Sequence, residues 1–257
     1  MNSVFTFLIT ALGLLAGMLG LLHIGWIIGT KQRNKHPDGI RGTGPIEGAI
    51  FGLMGLLLAF TFSGAGDRFE RRRALIVEEA NAIGTAYLRL ALLPKDAQLP
   101  LQEKFRNYLE NRISFYRVIL DPEQRARQAG ITAGLQREIW DTAISAAKRE
   151  TNAATLTLIA TALNQMIDIT ATRAEAQQAH PPGAVYAMLV VLLLCSALIA
   201  GFELSAGKRR AWLHMFTFAA ILAITVYVIL DYEYPRIGIL RIDAADGMLV
   251  DVLKLMK

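Results

Sequence analysis

Four stretches of this chain carry no Asp, Glu, Lys or Arg: residues 1–30, 48–66, 181–202 and 211–230. Each approaches the ~20 residues that a helix needs to cross a hydrocarbon core, so each predicts a transmembrane helix. The stretch 48–66 is the shortest and the richest in Gly. By hydropathy it is the weakest span, unless protein or water covers part of it. It also has an unusual end. With no Pro and no loop composition it runs into Asp67-Arg68-Phe69-Glu70-Arg71-Arg72-Arg73 and on towards Pro94. That pattern predicts one long helix that leaves the bilayer and continues into water.

Residues 67–180 are nearly neutral and rich in Ala, Leu, Glu, Arg and Gln, which predicts further helices. Pro94 and Pro100 bracket the first break. A helix over about 101–120 follows, with Leu101, Phe105, Tyr108, Leu109, Ile113, Tyr116 and Ile119 at helical spacing. Asp121-Pro122-Glu123 restarts the chain as an N-cap, a Pro in the first turn and an acidic residue. The next helix runs to about Glu150, with Gly130 and Gly134 as candidate interruptions, and another covers about 152–178. The expected fold is an all-α integral membrane protein of four transmembrane helices. Its divisions are 1–66 for spans one and two, 67–180 for a helical aqueous domain, 181–230 for spans three and four, and 231–257 for a tail that docks on the aqueous domain.

Composition agrees with insertion in a lipid bilayer. The chain is 53% hydrophobic and only 19% charged, with a mean hydropathy of +0.36, and the apolarity sits in blocks. The first stretch lacks the basic start of a signal peptide and exceeds an apolar region of roughly 7–15 residues, so it is expected to be a retained span. The net charge of +5 comes largely from residues beside spans: Lys31, Arg33, Lys35 and Arg41 in one loop, Lys208, Arg209 and Arg210 in another. Such residues set topology and meet anionic headgroups, and nucleic acid is not an expected partner. A lone cysteine, Cys195, excludes a disulfide within the chain and a Cys-based metal site.

Catalytic patterns are missing from the sequence. The four His, at 23, 36, 180 and 214, form no metal spacing, and no nucleophile motif occurs. Glu78 and Glu79 are adjacent and point about 100° apart on a helix, so they read as a solvated or salt-bridged face. The Gly-x-Gly near residue 42 follows no strand and lacks the Lys-Ser/Thr of a phosphate loop. His23 reads as an interfacial polar group. No enzyme activity, cofactor or metal is expected. Gly13 and Gly17 form a small-xxx-small pair suited to helix packing. Asn164, Asp168, Thr172 and Glu175, with Gln165 and Arg173 nearby, make a polar helix face that suits solvent, ions or a facing helix.

In the second span Gly48, Gly52, Gly55, Leu56 and Phe60 follow roughly one face. That face is either a packing surface or, in a ring of identical subunits, the lining of a pore with an apolar neck. "LLLAFTFSGAGDRFERRR", "EEANAIGTAYLRLALLP", "ALNQMIDITATR" and "DYEYPRIGILRI" together resemble the bacterial bestrophin-like family over most of the chain. The family is named for its likeness to bestrophin anion channels, whose second span carries Phe, seven residues, then Arg and an aromatic; Phe60 and Arg68-Phe69 match that spacing. The resemblance implies a homo-oligomer, a pentamer, that passes small anions. It places a pore neck at Gly52, Leu56 and Phe60, and an electropositive mouth at Arg68, Arg71, Arg72 and Arg73. Gly52 departs from the large apolar residue expected, which implies an outer neck that is wider or absent. The acidic calcium clasp of animal bestrophins is absent, with only Asp231 and Glu233 in its place, so no calcium gate is expected.

Four spans put both termini and the segment 67–180 on one side of the membrane. The basic loops at 31–41 and 208–210 argue by the positive-inside rule that this side is external, and the arginines at 68–73 argue the reverse. The resemblance implies a bacterial inner membrane with the helical domain in the cytoplasm. The alternative to a channel is a membrane-anchored helical interaction or scaffold protein without a pore, in which Gly52 and Phe60 pack against spans of the same chain.

Overall fold

The structure, a computed structural model, describes residues 2–35, 44–117, 121–150, 152–207 and 210–256. Among these the chain forms α1 (Asn2–Lys35), α2 (Gly44–Arg89), a 3-10 turn (Leu90–Leu92), α3 (Lys95–Arg117), α4 (Pro122–Ala147), α5 (Ala153–Gln178), α6 (Gly183–Leu204), α7 (Trp212–Glu233) and α8 (Asp243–Leu255), with no strand. Four helical stretches are long and apolar enough to cross a membrane, and the protein is an all-α membrane protein. His36, Arg41, Lys208, Arg209, Ile119 and the side chain of Tyr116 lie outside the described residues.

The chain divides into two compact units. The first comprises Met1–Phe69 and Ala179–Arg241, and the second Glu70–Gln178 and Ile242–Lys257. Helix α2 contributes to both without interruption, and shows no break at Asp67. A continuous helix satisfies its backbone within itself, which lipid requires and water tolerates.

In the first unit α1, α6 and α7 pack around Met18, Leu22, Leu193, Ala197, Met215 and Ala219. The tightest approach is not at Gly13 and Gly17. A Cβ at Gly13 would meet nothing within 4 Å, and one at Gly17 would only touch Leu194. Instead a Cβ at Gly25 would lie 2.0 Å from the Leu198 carbonyl oxygen, and one at Gly201 would lie 2.1 Å from that of Leu22. Only residues without a side chain let the two backbones meet there. Helix α2 offers this unit one face, carrying Phe51, Met54, Leu57, Leu58, Thr61 and Ala65.

The second unit closes around Ile83, Leu101, Phe105, Tyr108, Leu109, Ile139, Ile159, Leu163 and Met166. Leu101, Phe105, Tyr108 and Leu109 are the buried stripe that the helical spacing predicts. Helix α3 begins earlier than expected, at Lys95, and contains Pro100. Pro94 and the extended Leu93 before it supply the break alone, so Pro100 is accommodated in the second helical turn. Helix α4 runs through Gly130 and Gly134, and Asp121 caps it by accepting from the N–H groups of Glu123 and Gln124, each at 3.0 Å. Helix α8 joins this core through Leu249 and Met256, and the guanidinium of Arg106 donates to the Met256 carbonyl.

Gly201→Ala forces the α1 and α6 backbones apart. It is expected to cost about 1–3 kcal/mol, typical of overpacking, and to lower the thermal midpoint in detergent. Gly13→Ala, which enters open space, should leave the midpoint unchanged or raise it.

Candidate functional site

Helix α2 positions most of the residues singled out from the sequence. Gly52, Leu56 and Phe60 lie one turn apart in succession, on the side away from Met54 and Ala65. A Cβ at Gly52 would touch nothing within 4 Å. Leu56 is 52% exposed and Phe60 68% exposed. Within one chain this apolar face has no cover, while the opposite face of the same helix is packed.

The arginines that follow divide into separate environments. Arg71 and Arg73 are exposed, Arg73 with Glu70 at 3.6 Å. Arg72 is buried and its Nε donates to the Ala176 carbonyl at 2.9 Å. Arg68 is half-buried, and its Nε donates to Glu233 Oε1 at 2.8 Å, with Nη2 on the same oxygen. Glu233, at the end of α7, is itself buried. Its other oxygen faces His180 Nδ1 at 3.2 Å, and His180 stacks on Tyr234 with ring centroids 4.7 Å apart. Phe69 and Phe62 stand edge-on to Tyr232 at 5.2 and 5.8 Å. The last turn of α7 is thus fastened to α2 by one charged and two aromatic contacts.

The chain then turns sharply. Asp231 accepts from the N–H groups of Ile239 and Leu240 at 2.8 and 2.7 Å. A Cβ at Gly238 would collide with that carboxylate at 1.8 Å, so the turn requires glycine.

The residues expected to form a polar face on α5 separate. Asn164 and Asp168 are exposed. Arg173, five residues beyond Asp168 and so about 140° round the helix, is buried. Its guanidinium pairs with Glu79, which also accepts from Arg112 Nε at 2.5 Å. Glu78 is exposed, so the two adjacent glutamates part as the 100° angle requires. Burial pushes the Glu79 carboxyl up, but the charges and hydrogen bonds of Arg112 and Arg173 outweigh it and hold the group below the usual range. Burial also pushes the neighbouring Tyr108 phenol up to about 12. Gln136 lies between this phenol and Thr170, at 3.4 and 3.3 Å. The cluster ties α2, α3 and α5 by charge. Among the described residues no three His, Cys, Asp or Glu converge to hold a metal.

Sequence reasoning passed over Arg112 and the pairing role of Glu233. Both partners are distant in sequence, 33 and 165 residues from their counterparts. The only local signal was a charged residue at a core-facing position: Arg112 continues the stripe of Leu101, Phe105, Tyr108 and Leu109.

The family profile described as a Bestrophin-like domain matches residues 4–246. Similar solved structures include a bacterial bestrophin homologue from Klebsiella pneumoniae bearing one substitution, with TM-score 0.69 and 17% identity over 94% of this chain and 98% of that one. A membrane protein variant follows with TM-score 0.61, 17% identity and the same coverage. Another Klebsiella pneumoniae homologue variant has TM-score 0.59 and 18% identity over 93% and 97% of the two chains. At these identities the likeness is one of fold. No curated protein matches the chain.

Because Glu79 is held ionised in the folded state, the stability it contributes is complete above the ordinary carboxylate pKa of about 4.3. It is lost as pH falls through the lower, folded value. Glu79→Gln strands two buried guanidiniums and is expected to cost about 3–5 kcal/mol. Unfolding followed against pH should show the variant less stable at neutral pH and less sensitive to acid than the wild type.

Proposed function

The chain belongs to the bestrophin-like family, and on that premise we propose that it is an oligomeric channel for small anions, lined by the second span. The observation that carries this reading is the face of α2 bearing Gly52, Leu56 and Phe60, which its own chain leaves uncovered while packing the opposite face. An anchor without a pore predicts the reverse, with Gly52 and Phe60 packed against other spans of the same chain. Copies arranged around an axis, five by family likeness, would turn these faces inward. Leu56 and Phe60 then form an apolar constriction that gates by dewetting, and Gly52 leaves the approach to it wide.

The aqueous mouth takes its charge from Arg71 and Arg73, whose exposure lets them raise the local anion concentration. Arg68 is partly offset by Glu233, and Arg72 holds the Ala176 carbonyl, so these two serve as fastenings. The carboxylates after the last span are also engaged, Asp231 by backbone N–H groups and Glu233 by Arg68 and His180. That supports a gate that does not depend on a divalent cation there. The membrane is the bacterial inner membrane in this reading, with the second unit on the cytoplasmic side.

Purified protein in liposomes should release halide down its gradient. Phe60→Ala should raise the flux about tenfold, the factor that corresponds to a barrier lowered by about 1.4 kcal/mol. Reversing the mouth charge with Arg71→Glu and Arg73→Glu should reduce halide flux. If no lipid, voltage or pH produces halide flux, the channel reading fails.

A further inference from the structure

The short-loop end of the first unit carries a carboxylate that the channel reading does not use. Glu47 stands in the first turn of α2. It is half-buried, and among the described residues no hydrogen-bond donor or cation partners it. The helix N-terminus favours a negative charge there, but none of its described N–H groups bonds to the carboxylate.

Glu47 lines a groove of about 290 Å³ between α1, α2 and α6. Every other residue of the wall is apolar or glycine, with Gly25 and Ile28 from α1, Ile50 from α2, and Leu198, Ile199 and Phe202 from α6. The groove has a polar end and an apolar end. Ile50 lies one turn further into span two than Glu47, and Leu198 one turn further into span three than Phe202. The cation that already meets Phe202 is engaged elsewhere. The guanidinium carbon of Arg33 is 5.7 Å from the Phe202 centroid, while its Nε donates to Ser205 Oγ at 3.1 Å and its Nη2 lies 3.6 Å from Glu203.

A carboxylate without a counter-charge in an apolar wall favours a cation. With no other oxygen-bearing side chain in the wall, Glu47 offers too few donors for Ca²⁺ or Mg²⁺, which take about six oxygens or more. A primary ammonium needs less. One carboxylate can accept from its N–H groups, and the carbon chain that carries it suits the rest of the wall. Because the walls are membrane-spanning helices, the ammonium that reaches Glu47 with an apolar chain beside it is that of a lipid.

We propose that Glu47 binds the primary ammonium of an aminophospholipid whose acyl chain lies in the groove between α1, α2 and α6. The site does not involve Leu56 or Phe60, and it is filled whether or not an ion passes.

The test is native mass spectrometry of the full chain, released from detergent containing equimolar phosphatidylethanolamine and phosphatidylcholine with the same acyl chains. The two lipids differ in the N–H donors of the head. Phosphatidylethanolamine adducts should exceed phosphatidylcholine adducts by about tenfold, the scale of one hydrogen bond to a charged group. Glu47→Gln, which keeps the shape of the side chain, should bring the two to equality. Ile199→Trp, which fills the groove and leaves the carboxylate in place, should also remove the preference. Should that variant not fold, Glu47→Gln decides alone. Equal adducts on the wild type overturn the proposal, as does a preference that survives in either folded variant. Displacement of phosphatidylethanolamine by millimolar ethanolamine, which has no tail, would assign the carboxylate to a free amine and overturn the lipid assignment.

Discussion

The backbone of α2 hydrogen-bonds to itself from Gly44 to Arg89, and the other features of the protein accommodate that fact. An apolar run as short and glycine-rich as 48–66 is a poor membrane span on hydropathy alone. It is tolerable because a helix leaves no backbone group to lipid. Since the same helix goes on past Asp67, its side chains must change from lipid-compatible to water-compatible without a turn in which to do so. The residues at the change are held individually: Phe62 and Phe69 against Tyr232, Arg68 against Glu233. The helix is therefore fixed on one face and bare on the other, and the bare face is the one available to a second copy.

Buried charge does a similar job twice. In the first unit Glu233 sits out of solvent with Arg68 and His180. In the second, Glu79 sits out of solvent between Arg112 and Arg173. Such clusters are seldom the cheapest way to stabilise a core. Their geometry is specific, however, because the two oxygens of each carboxylate are taken by different partners, those of Glu79 by Arg112 and Arg173 and those of Glu233 by Arg68 and His180. Glu79 fixes the rotation of α2 against α3 and α5 in a way that Ala and Leu contacts alone would not.

The fold was legible in the sequence where one residue type dominates a stretch. Spans at 181–202 and 211–230, the Asp121 cap and the Leu101 to Leu109 stripe need only local pattern. Pro100 misled because proline is read as a helix end, whereas Pro94 and Leu93 already supply that end. Gly13 and Gly17 looked like the packing pair because of their spacing. The actual contact, Gly25 with α6 and Gly201 with α1, joins residues far apart in the chain, which no spacing rule detects. The arginines show the same limit. Arg68, Arg71, Arg72 and Arg73 look alike in sequence, and only their partners on α5 and α7 separate two exposed cations from two structural ones. Arg173 appeared to belong with Asp168 until its burial beside Glu79 placed it on another face.

The claim with most consequence is that Phe60 faces its own copies. Disulfide cross-linking in native membranes addresses it most directly. With the only cysteine removed by Cys195→Ser, Phe60→Cys is oxidised and compared with Ile224→Cys, which is equally exposed but lies on α7. The account predicts covalent dimers for Phe60→Cys and monomers for Ile224→Cys. Monomers at Phe60→Cys, with the protein folded and inserted, would contradict it and leave that side chain facing lipid.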